Sequence, residues 1–305
     1  MQQRAFGLTG LSVSVLGLGA GQIGEANQSE AEVGELLNTA LDLGITLIDT
    51  ARSYGLSEKR IGRHLAHRRQ EFVLSTKVGY GVPGQADWTY DCILAGIDLA
   101  LRNLKTDVLD IVHLHSCPIQ TLAENGVIEA LLKAREQGKI RVAAYSGENE
   151  ELAWAVGLGD ITVADGSDAG KKFGSVECSV NLFDQMSLAT SLPAAGAHGM
   201  GVIATRALGN VPWRFAERPQ GNYCETYWTR MQAMALDAGD MPWDELALRF
   251  STFAPNVSAA IVGTLSVKHL RHNVALIEAG PLPETVFEGV RARFNALGYD
   301  WRGEI

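Results

Sequence analysis

The stretch VLGLGAGQIGEANQSE, residues 15–30, decides between two folds for the first part of the chain. Residues 19–24 spell G-x-G-x-x-G directly after an apolar run, and a second apolar run ends in the acid Asp49. This is the outline of a Rossmann fingerprint, in which the last glycine lies inside the helix that receives a pyrophosphate. Here Ser29 and Glu32 form a capping box, which predicts that the helix begins only after Ser29. We therefore favour a first strand and loop of another α/β fold.

Strand-like and helical patterns alternate along the rest of the chain, after a predicted hairpin around Thr9 and Gly10. The apolar runs cover residues 15–19, 45–49, 72–77, 108–113, 140–144, 176–180, 202–204 and 259–262. The helical patterns cover residues 29–43, 57–68, 90–104, 121–137, 148–156, 185–197, 242–253 and 267–279. Continuous apolar strands joined through helices predict a parallel sheet. Eight such units predict an α/β fold, a (β/α)8 TIM barrel with a short N-terminal β-hairpin, as a single domain over residues 1–305.

Composition narrows the class of protein and of partner. The formal net charge of −9 disfavours nucleic acid or an anionic membrane surface as a partner. No apolar run has the length of a signal peptide or a membrane span, so we expect a cytoplasmic protein. The cysteines Cys92, Cys117, Cys178 and Cys224 lie far apart without metal-ligand spacing. Reduced, structural thiols are expected, and no metal site.

Four ionisable residues stand at the carboxyl ends of successive predicted strands. Asp49 ends the second strand, and Tyr54 lies in the loop after it. Lys77 ends the third strand, and His115 follows the fourth. Taken singly, each has a structural alternative, as a cap, a packed ring, a surface charge or a core histidine. Together they predict a catalytic site, because these strand ends meet at the one barrel mouth where such enzymes hold their active sites.

At these residues the sequence resembles the aldo-keto reductase superfamily, and the resemblance runs through nearly the whole chain. IDTARSYGLSEKRIG (residues 48–62) is similar to the family's Asp…Tyr segment, and STKVG (75–79) and DVLDIVHLHS (107–116) to its lysine and histidine segments. GKIRVAAYSGEN (138–149) and AAIVGTLSVKHLRHNV (259–274) resemble two cofactor segments. The resemblance implies an oxidoreductase that uses NADPH or NADH on carbonyls or alcohols, without a metal.

The resemblance also implies a role for each residue of the constellation. Tyr54 would give a proton to the carbonyl oxygen in reduction, or take one from the alcohol in oxidation. A free phenol titrates near pH 10, so Lys77, held by Asp49, is expected to lower its pKa. His115 would orient and polarise the carbonyl. His113, two residues earlier on the same face of the strand, is expected deeper in the barrel as a supporting residue.

The cofactor is expected to lie along the same mouth. Near the nicotinamide the resemblance implies Gly21, Ser146 and Glu177, and a turn entering a helix would hold the adenosine end. The residues implied at that end are Gly263, Thr264, Ser266, His269 and Asn273. The usual positions for gripping a 2′-phosphate lack a basic residue, but Lys268 and Arg271 lie nearby. We expect NADP(H) slightly ahead of NAD(H).

Glu177 departs from the family, which often has glutamine there, just as Gly147 replaces a frequent asparagine. A carboxylate beside the nicotinamide would favour the cationic, oxidised ring and so alcohol oxidation. The alternative is that Glu177 is a protonated or paired acceptor without any influence on redox direction.

Substrate choice is expected to come from loops over the barrel mouth, where aromatic residues suit a sugar face or an aryl or alkyl group. Trp88 and Trp213 are the candidate pocket residues, accompanied by Tyr80, Phe215 and Tyr223. Two other functions remain open, a redox-sensing, cofactor-binding barrel with little turnover and a non-redox barrel enzyme. The specific substrate, and whether the chain is a monomer or a homo-oligomer, are left open by the sequence.

Overall fold

An antiparallel hairpin opens the chain, formed by β1 (Gln3–Ala5) and β2 (Ser12–Ser14). The computed structural model describes residues 1–124, 126–158 and 172–304. Eight further strands are β3 (Leu16–Gly19), β4 (Leu47–Asp49), β5 (Val73–Val78), β6 (Leu109–His115), β7 (Ile140–Ser146), β8 (Ser175–Ser179), β9 (Gly201–Thr205) and β10 (Ala259–Gly263). They pair in parallel, each with the next, and β10 pairs with β3, so that the sheet closes into a barrel. The predicted (β/α)8 barrel with an N-terminal hairpin is confirmed.

Helices cover the outside of this barrel. They are α1 (Glu30–Asp42), α2 (Ser57–Leu65), α3 (Tyr90–Leu104), α4 (Ile119–Ala123), α5 (Gly126–Glu136), α6 (Asn149–Ala155), α7 (Met186–Ala189), α8 (Ser191–Ala197), α9 (Glu225–Met234), α10 (Trp243–Thr252), α11 (Val267–Glu278) and α12 (Glu284–Leu297). The sequence patterns did not predict α9 or α12. In α12 only Val290 and Phe294 are buried, so its apolar stripe is too narrow to stand out as a helical pattern.

The glycine-rich stretch forms β3 and the loop that follows it. A short 3-10 turn spans Gln22–Gly24, and α1 begins after Ser29, whose hydroxyl accepts from the backbone N–H of Glu32. This is the predicted cap, and it separates the last glycine from the helix. A Cβ on Gly24 would lie 1.8 Å from the carbonyl oxygen of Tyr54. Residue 24 must therefore be glycine, because the backbone of the next loop lies too close for a side chain.

The hairpin closes the amino-terminal end of the barrel. Phe6 and Val13 are fully buried and pack in one cluster with inward-facing strand residues such as Leu47 and Ile203. A Cβ on Gly201, the first residue of β9, would lie 2.5 Å from the Phe6 ring. The opposite, carboxyl-terminal end of the strands stays open to ligands, as is general for this fold. Within the described residues, no helix has the length and apolarity needed to cross a membrane.

Candidate active site

Lys77 lies at the centre of a buried charge cluster at the open end of the barrel. Its ammonium nitrogen is 2.5 Å from Asp49 Oδ2, 3.2 Å from Glu177 Oε1, and donates to the carbonyl oxygen of Thr50 at 3.1 Å. Strands β4, β5 and β8 carry these three charged side chains, and each is at most 3% exposed. The structure thus brings the predicted Asp49–Lys77 pair together and adds a second carboxylate to it.

Two further residues link the carboxylates of this cluster. Ser75 donates to Asp49 Oδ1 at 2.8 Å, and its hydroxyl oxygen lies 3.1 Å from His113 Nε2. His113 Nε2 is also 3.7 Å from Glu177 Oε2. Asp49, His113 and Glu177 have the residue types of a metal site, with ligand atoms within 4.8 Å of one another. The cation that both carboxylates contact is the ammonium of Lys77.

The protonation states of the cluster follow from burial and from these contacts. Burial alone would lower the pKa of Lys77, but Asp49 and Glu177 raise it above its ordinary value, so the ammonium is charged. Burial, and then the charge of Glu177, raise the pKa of Asp49 to about 6. Burial and the nearby ammonium lower the pKa of His113 to about 4. At pH 7 the cluster holds a charged lysine and a neutral His113.

Tyr54 and His115 lie above this cluster at the barrel mouth. Lys77 Nζ is 5.5 Å from the centroid of the Tyr54 ring, and the Tyr54 and His115 rings meet edge to face at 5.9 Å. Lys77 lowers the pKa of Tyr54, but burial and the charges of Asp49 and Glu177 raise it, to a net value of about 12. The expected lowering of this pKa is therefore outweighed, and the phenol stays protonated at neutral pH.

His115 is neutral as well. Burial, and then the charges of Lys77 and His113, lower the pKa of His115 to about 3. Its Nδ1 is 3.0 Å from the hydroxyl oxygen of Tyr80, and the two rings stack at 5.6 Å. The sequence suggested Tyr80 only as a pocket wall, since nothing in its local pattern reveals a contact with a residue 35 positions away.

A cavity of about 490 Å³ opens over these side chains. Of the expected site residues, it is lined by Gly21, Asp49, Tyr54, His115, Ser146, Glu177 and Gly263. Lys77 lies below its floor. Ser146 donates to Glu177 Oε1 at 3.3 Å, and Glu177 Oε2 is buried without a hydrogen-bond partner. Oε1 is thus the oxygen that contacts Ser146 and Lys77, whereas Oε2 lies on the side of His113.

Glycines on β3, on the loop after it and on β10 line one side of the cavity. A Cβ on Gly263 would lie 3.3 Å from the carbonyl oxygen of Gly19, and one on Gly21 would touch the Tyr54 ring at 3.7 Å. Beyond Gly263 the chain turns into α11. Ser266 caps that helix, accepting from the N–H of His269, and Thr264 accepts from the N–H of Ser266. The predicted turn is present, with His269 exposed and Thr264 and Asn273 buried.

The two tryptophans predicted for the pocket do not line this cavity. Trp213 stacks on Trp243, with ring centroids 5.9 Å apart. Trp88 packs against Tyr80, with ring centroids 5.6 Å apart. Tyr80 in turn contacts His115, so Tyr80 lies between Trp88 and that histidine. Their role toward a substrate stays a prediction.

The loop after β9 forms a polar wall of the cavity. The sequence did not predict a role for Arg206, the central residue of this wall. Arg206 lines the cavity and donates to Ser179 Oγ at 2.6 Å and to the hydroxyl oxygen of Tyr223 at 2.8 Å. It also donates to the carbonyl oxygen of Glu304 at 2.6 Å, so the carboxyl-terminal segment is held at the mouth. Asn210, Arg214, Asn222 and Tyr223, from the segment between β9 and α9, also line the cavity.

Comparisons with known proteins agree with this geometry. The sequence model of the Aldo/keto reductase family matches residues 15–293. L-galactose dehydrogenase of Arabidopsis thaliana is 26% identical over a match that covers 91% of this chain and 88% of that protein. D-threo-aldose 1-dehydrogenase of a Pseudomonas species is 27% identical over a match that covers 87% of this chain and 89% of that protein. A similar solved structure is the holo form of an aldo-keto reductase from Bacillus halodurans (TM-score 0.80, 25% identical, 99% of both chains).

Proposed function

Because the chain belongs to the aldo/keto reductase family and is an NAD(P)-dependent oxidoreductase that interconverts carbonyl compounds and alcohols, we propose that the proton of this reaction passes through Tyr54. The observation that carries the proposal is the place of Tyr54, whose ring lines the cavity above a charged, buried lysine. Its phenol is protonated at neutral pH, as a proton donor must be.

The neighbouring side chains have separate tasks in this proposal. When bound, the nicotinamide supplies or takes up the hydride. Tyr54 gives its proton to the carbonyl oxygen in reduction and regains one in oxidation. Lys77 stabilises the negative charge that the phenolate carries after that transfer, and Asp49 holds the ammonium in place at 2.5 Å. Neutral His115 donates a hydrogen bond that orients the carbonyl.

The residues around Glu177 fit a nicotinamide carboxamide. Such a group brings an N–H donor and a carbonyl acceptor, and Glu177 lines the cavity with a carboxylate that can only accept when it is charged. Ser146 stands beside it with a hydroxyl that both donates and accepts. The glycines at 19, 21 and 263 leave room for a flat ring. We propose Ser146, Glu177 and Gly21 for the nicotinamide end.

For the adenosine end we propose the turn from Gly263 into α11, with Thr264, Ser266, His269 and Asn273. Lys268 and Arg271 are exposed in the first part of this helix. They support NADP(H) over NAD(H), because the 2′-phosphate attracts cations. The dissociation constants of both cofactors for wild type and for Lys268→Ala/Arg271→Ala test this. We expect only that of NADP(H) to rise, and equal affinities in wild type would contradict the preference.

The place of Glu177 also supports a preference for the oxidised cofactor. Two carboxylates face one ammonium, so with His113 neutral the cluster carries one negative charge in excess. That charge attracts a cationic ring more than a neutral one. In Glu177→Gln the ratio of the dissociation constants of NAD(P)H and NAD(P)⁺ should fall about tenfold. Glu58→Gln is the control, because Glu58 is equally buried but is held by Thr76 and Asn103 away from the cavity. An unchanged ratio would overturn the preference.

As substrates we propose sugars and other polyhydroxylated aldehydes or alcohols. The polar cavity wall around Arg206, Asn210 and Asn222 supports this class, as do the two similar sugar dehydrogenases. The test is a panel of aldoses, simple aldehydes, ketones and secondary alcohols with both cofactors, followed at the nicotinamide absorbance. Tyr54→Phe should lose at least about a thousandfold in kcat while still binding cofactor. Full activity in that variant would overturn the role of Tyr54.

A further inference from the structure

The inference concerns Tyr80 and how the loop after β5 presents it to His115. The phenol hydroxyl lies 3.0 Å from His115 Nδ1, and the two rings stack with an angle of 25° between their planes. On its other side Tyr80 packs against Trp88. The imidazole is therefore held by a stacked ring and by one hydrogen bond in the direction away from the cavity.

The loop that carries Tyr80 is built to hold this position. Arg52, from the segment between Asp49 and Tyr54, donates from Nε to the carbonyl oxygen of Tyr80 at 3.2 Å and from Nη2 to that of Gly81. The N–H of Trp88 closes the loop onto the carbonyl oxygen of Gly79 at 2.7 Å. Gly79 has φ +147°, and a Cβ there would lie 2.2 Å from the Trp88 ring.

The hydrogen bond selects one form of the neutral imidazole. A neutral histidine has one N–H donor and one bare acceptor nitrogen, and the partner of one nitrogen decides which is which. A phenol is a better proton donor than a neutral imidazole, and the imidazole nitrogen is the better acceptor. Of the two acceptors within reach of the Tyr80 hydroxyl, His115 Nδ1 at 3.0 Å is nearer and more basic than Ser53 Oγ at 3.4 Å. Tyr80 then donates to Nδ1, and Nε2 carries the proton.

We propose that Tyr80 is a positioning residue that fixes His115 as the Nε2–H tautomer, so that the imidazole donates a hydrogen bond to the carbonyl oxygen of the substrate. The inference rests on the proposed role of His115 in the reaction. Without the phenol hydroxyl the ring is free to place its proton on Nδ1. The bare Nε2 would then face the carbonyl oxygen with a lone pair and oppose the growth of negative charge on that oxygen in the transition state.

The test combines a spectroscopic and a kinetic measurement on Tyr80→Phe, which keeps the stacked ring and loses only the hydroxyl. Nitrogen-15 NMR of histidine-labelled full-length protein, with the His115 signals assigned by their loss in His115→Gln, reports which ring nitrogen carries the proton. We expect a single Nε2–H form in wild type and a mixture in Tyr80→Phe. Tyr90→Phe, an exposed tyrosine at the start of α3, is the matched control and should keep the single form.

In the kinetic measurement, kcat for carbonyl reduction should fall between about tenfold and a hundredfold in Tyr80→Phe, with KM changed less than about threefold. An unchanged tautomer, or a kcat within twofold of wild type, would overturn the inference. A loss as large as that of Tyr54→Phe would also overturn it, because Tyr80 would then take part in proton transfer. A wild-type protein without oxidoreductase activity would refute the proposed roles instead, while the NMR signals would still report the tautomer.

Discussion

Glu177 brings a second carboxylate to the ammonium group of Lys77, with Oε1 3.2 Å from Nζ, beside the 2.5 Å contact of Asp49. All three side chains are buried. Two negative charges therefore share one positive charge beneath the phenol of Tyr54. Burial, together with this imbalance, raises the pKa of Asp49 and opposes the effect of Lys77 on the pKa of Tyr54, so the site is sensitive to single changes of charge.

The activity should show an acid limb set by Asp49. Because burial and Glu177 raise the pKa of Asp49 to about 6, the carboxylate is charged above that pH and loses its hold on Lys77 below it. We expect kcat/KM for carbonyl reduction to fall as the pH decreases through about 6. In Glu177→Gln the limb should move to lower pH, because one of the causes of the raised pKa is removed. Profiles of both proteins between about pH 4.5 and 8 test this, and coincident limbs would contradict it.

Removing the lysine should destabilise the fold. Lys77→Met leaves two buried carboxylates without their cation, and breaking a buried pair in this way costs about 3–5 kcal/mol. Burial already raises the pKa of Asp49, and without the ammonium that pKa rises further, so the loss should grow as the pH rises from about 5 to 8. Adding Glu177→Gln should restore part of the stability. Urea unfolding of the three proteins measures this, and a loss that does not depend on pH would contradict the charge argument.

Glu148 should make the stability fall with rising pH. Burial, and then the charge of Asp184, raise the pKa of Glu148 to about 8, against about 4.3 in an unfolded chain. The unfolded state thus gives up this proton at a lower pH than the folded state does. Stability is fully present below about pH 4.3 and decreases as the pH rises toward about 8. Relative to wild type, Glu148→Gln should gain at least about 1 kcal/mol between pH 5 and pH 8 in urea unfolding. A constant difference would show that the carboxyl group titrates normally.

Gly24, the last glycine of the G-x-G-x-x-G stretch at residues 19–24, should affect both stability and activity because it contacts the loop that carries Tyr54. In Gly24→Ala the new methyl group would lie 1.8 Å from the Tyr54 carbonyl oxygen and would displace the loop that carries the phenol. We expect a loss of about 1–3 kcal/mol in stability and at least a tenfold lower kcat/KM. Gly289→Ala is the matched control, since a Cβ there meets nothing within 4 Å in α12. It should be neutral or slightly stabilising. Equal behaviour of the two variants would contradict the close approach.

Much of the fold could be predicted because the strands of a parallel barrel are short, apolar and bounded by turns. The predicted strand 202–204 became β9 (Gly201–Thr205), and the predicted helix 90–104 coincides with α3. The strands that end in His115 and Ser146 run two residues farther than predicted, because their polar ends pair with neighbouring strands. A polar residue looks like the end of a strand in sequence, whereas the hydrogen-bonded register continues through it.

By itself the sequence determined the barrel, the family resemblance and the residue types at the strand ends, because periodicity and short motifs are local properties of the chain. Only the tertiary structure decided how these side chains meet. It gave Lys77 a second carboxylate, left Glu177 Oε2 without a partner, joined Tyr80 to His115, and turned Arg206 into a cavity wall that holds the carboxyl-terminal segment. These contacts join strands and loops far apart in sequence, and the burial that sets their pKa values exists only once the barrel has closed.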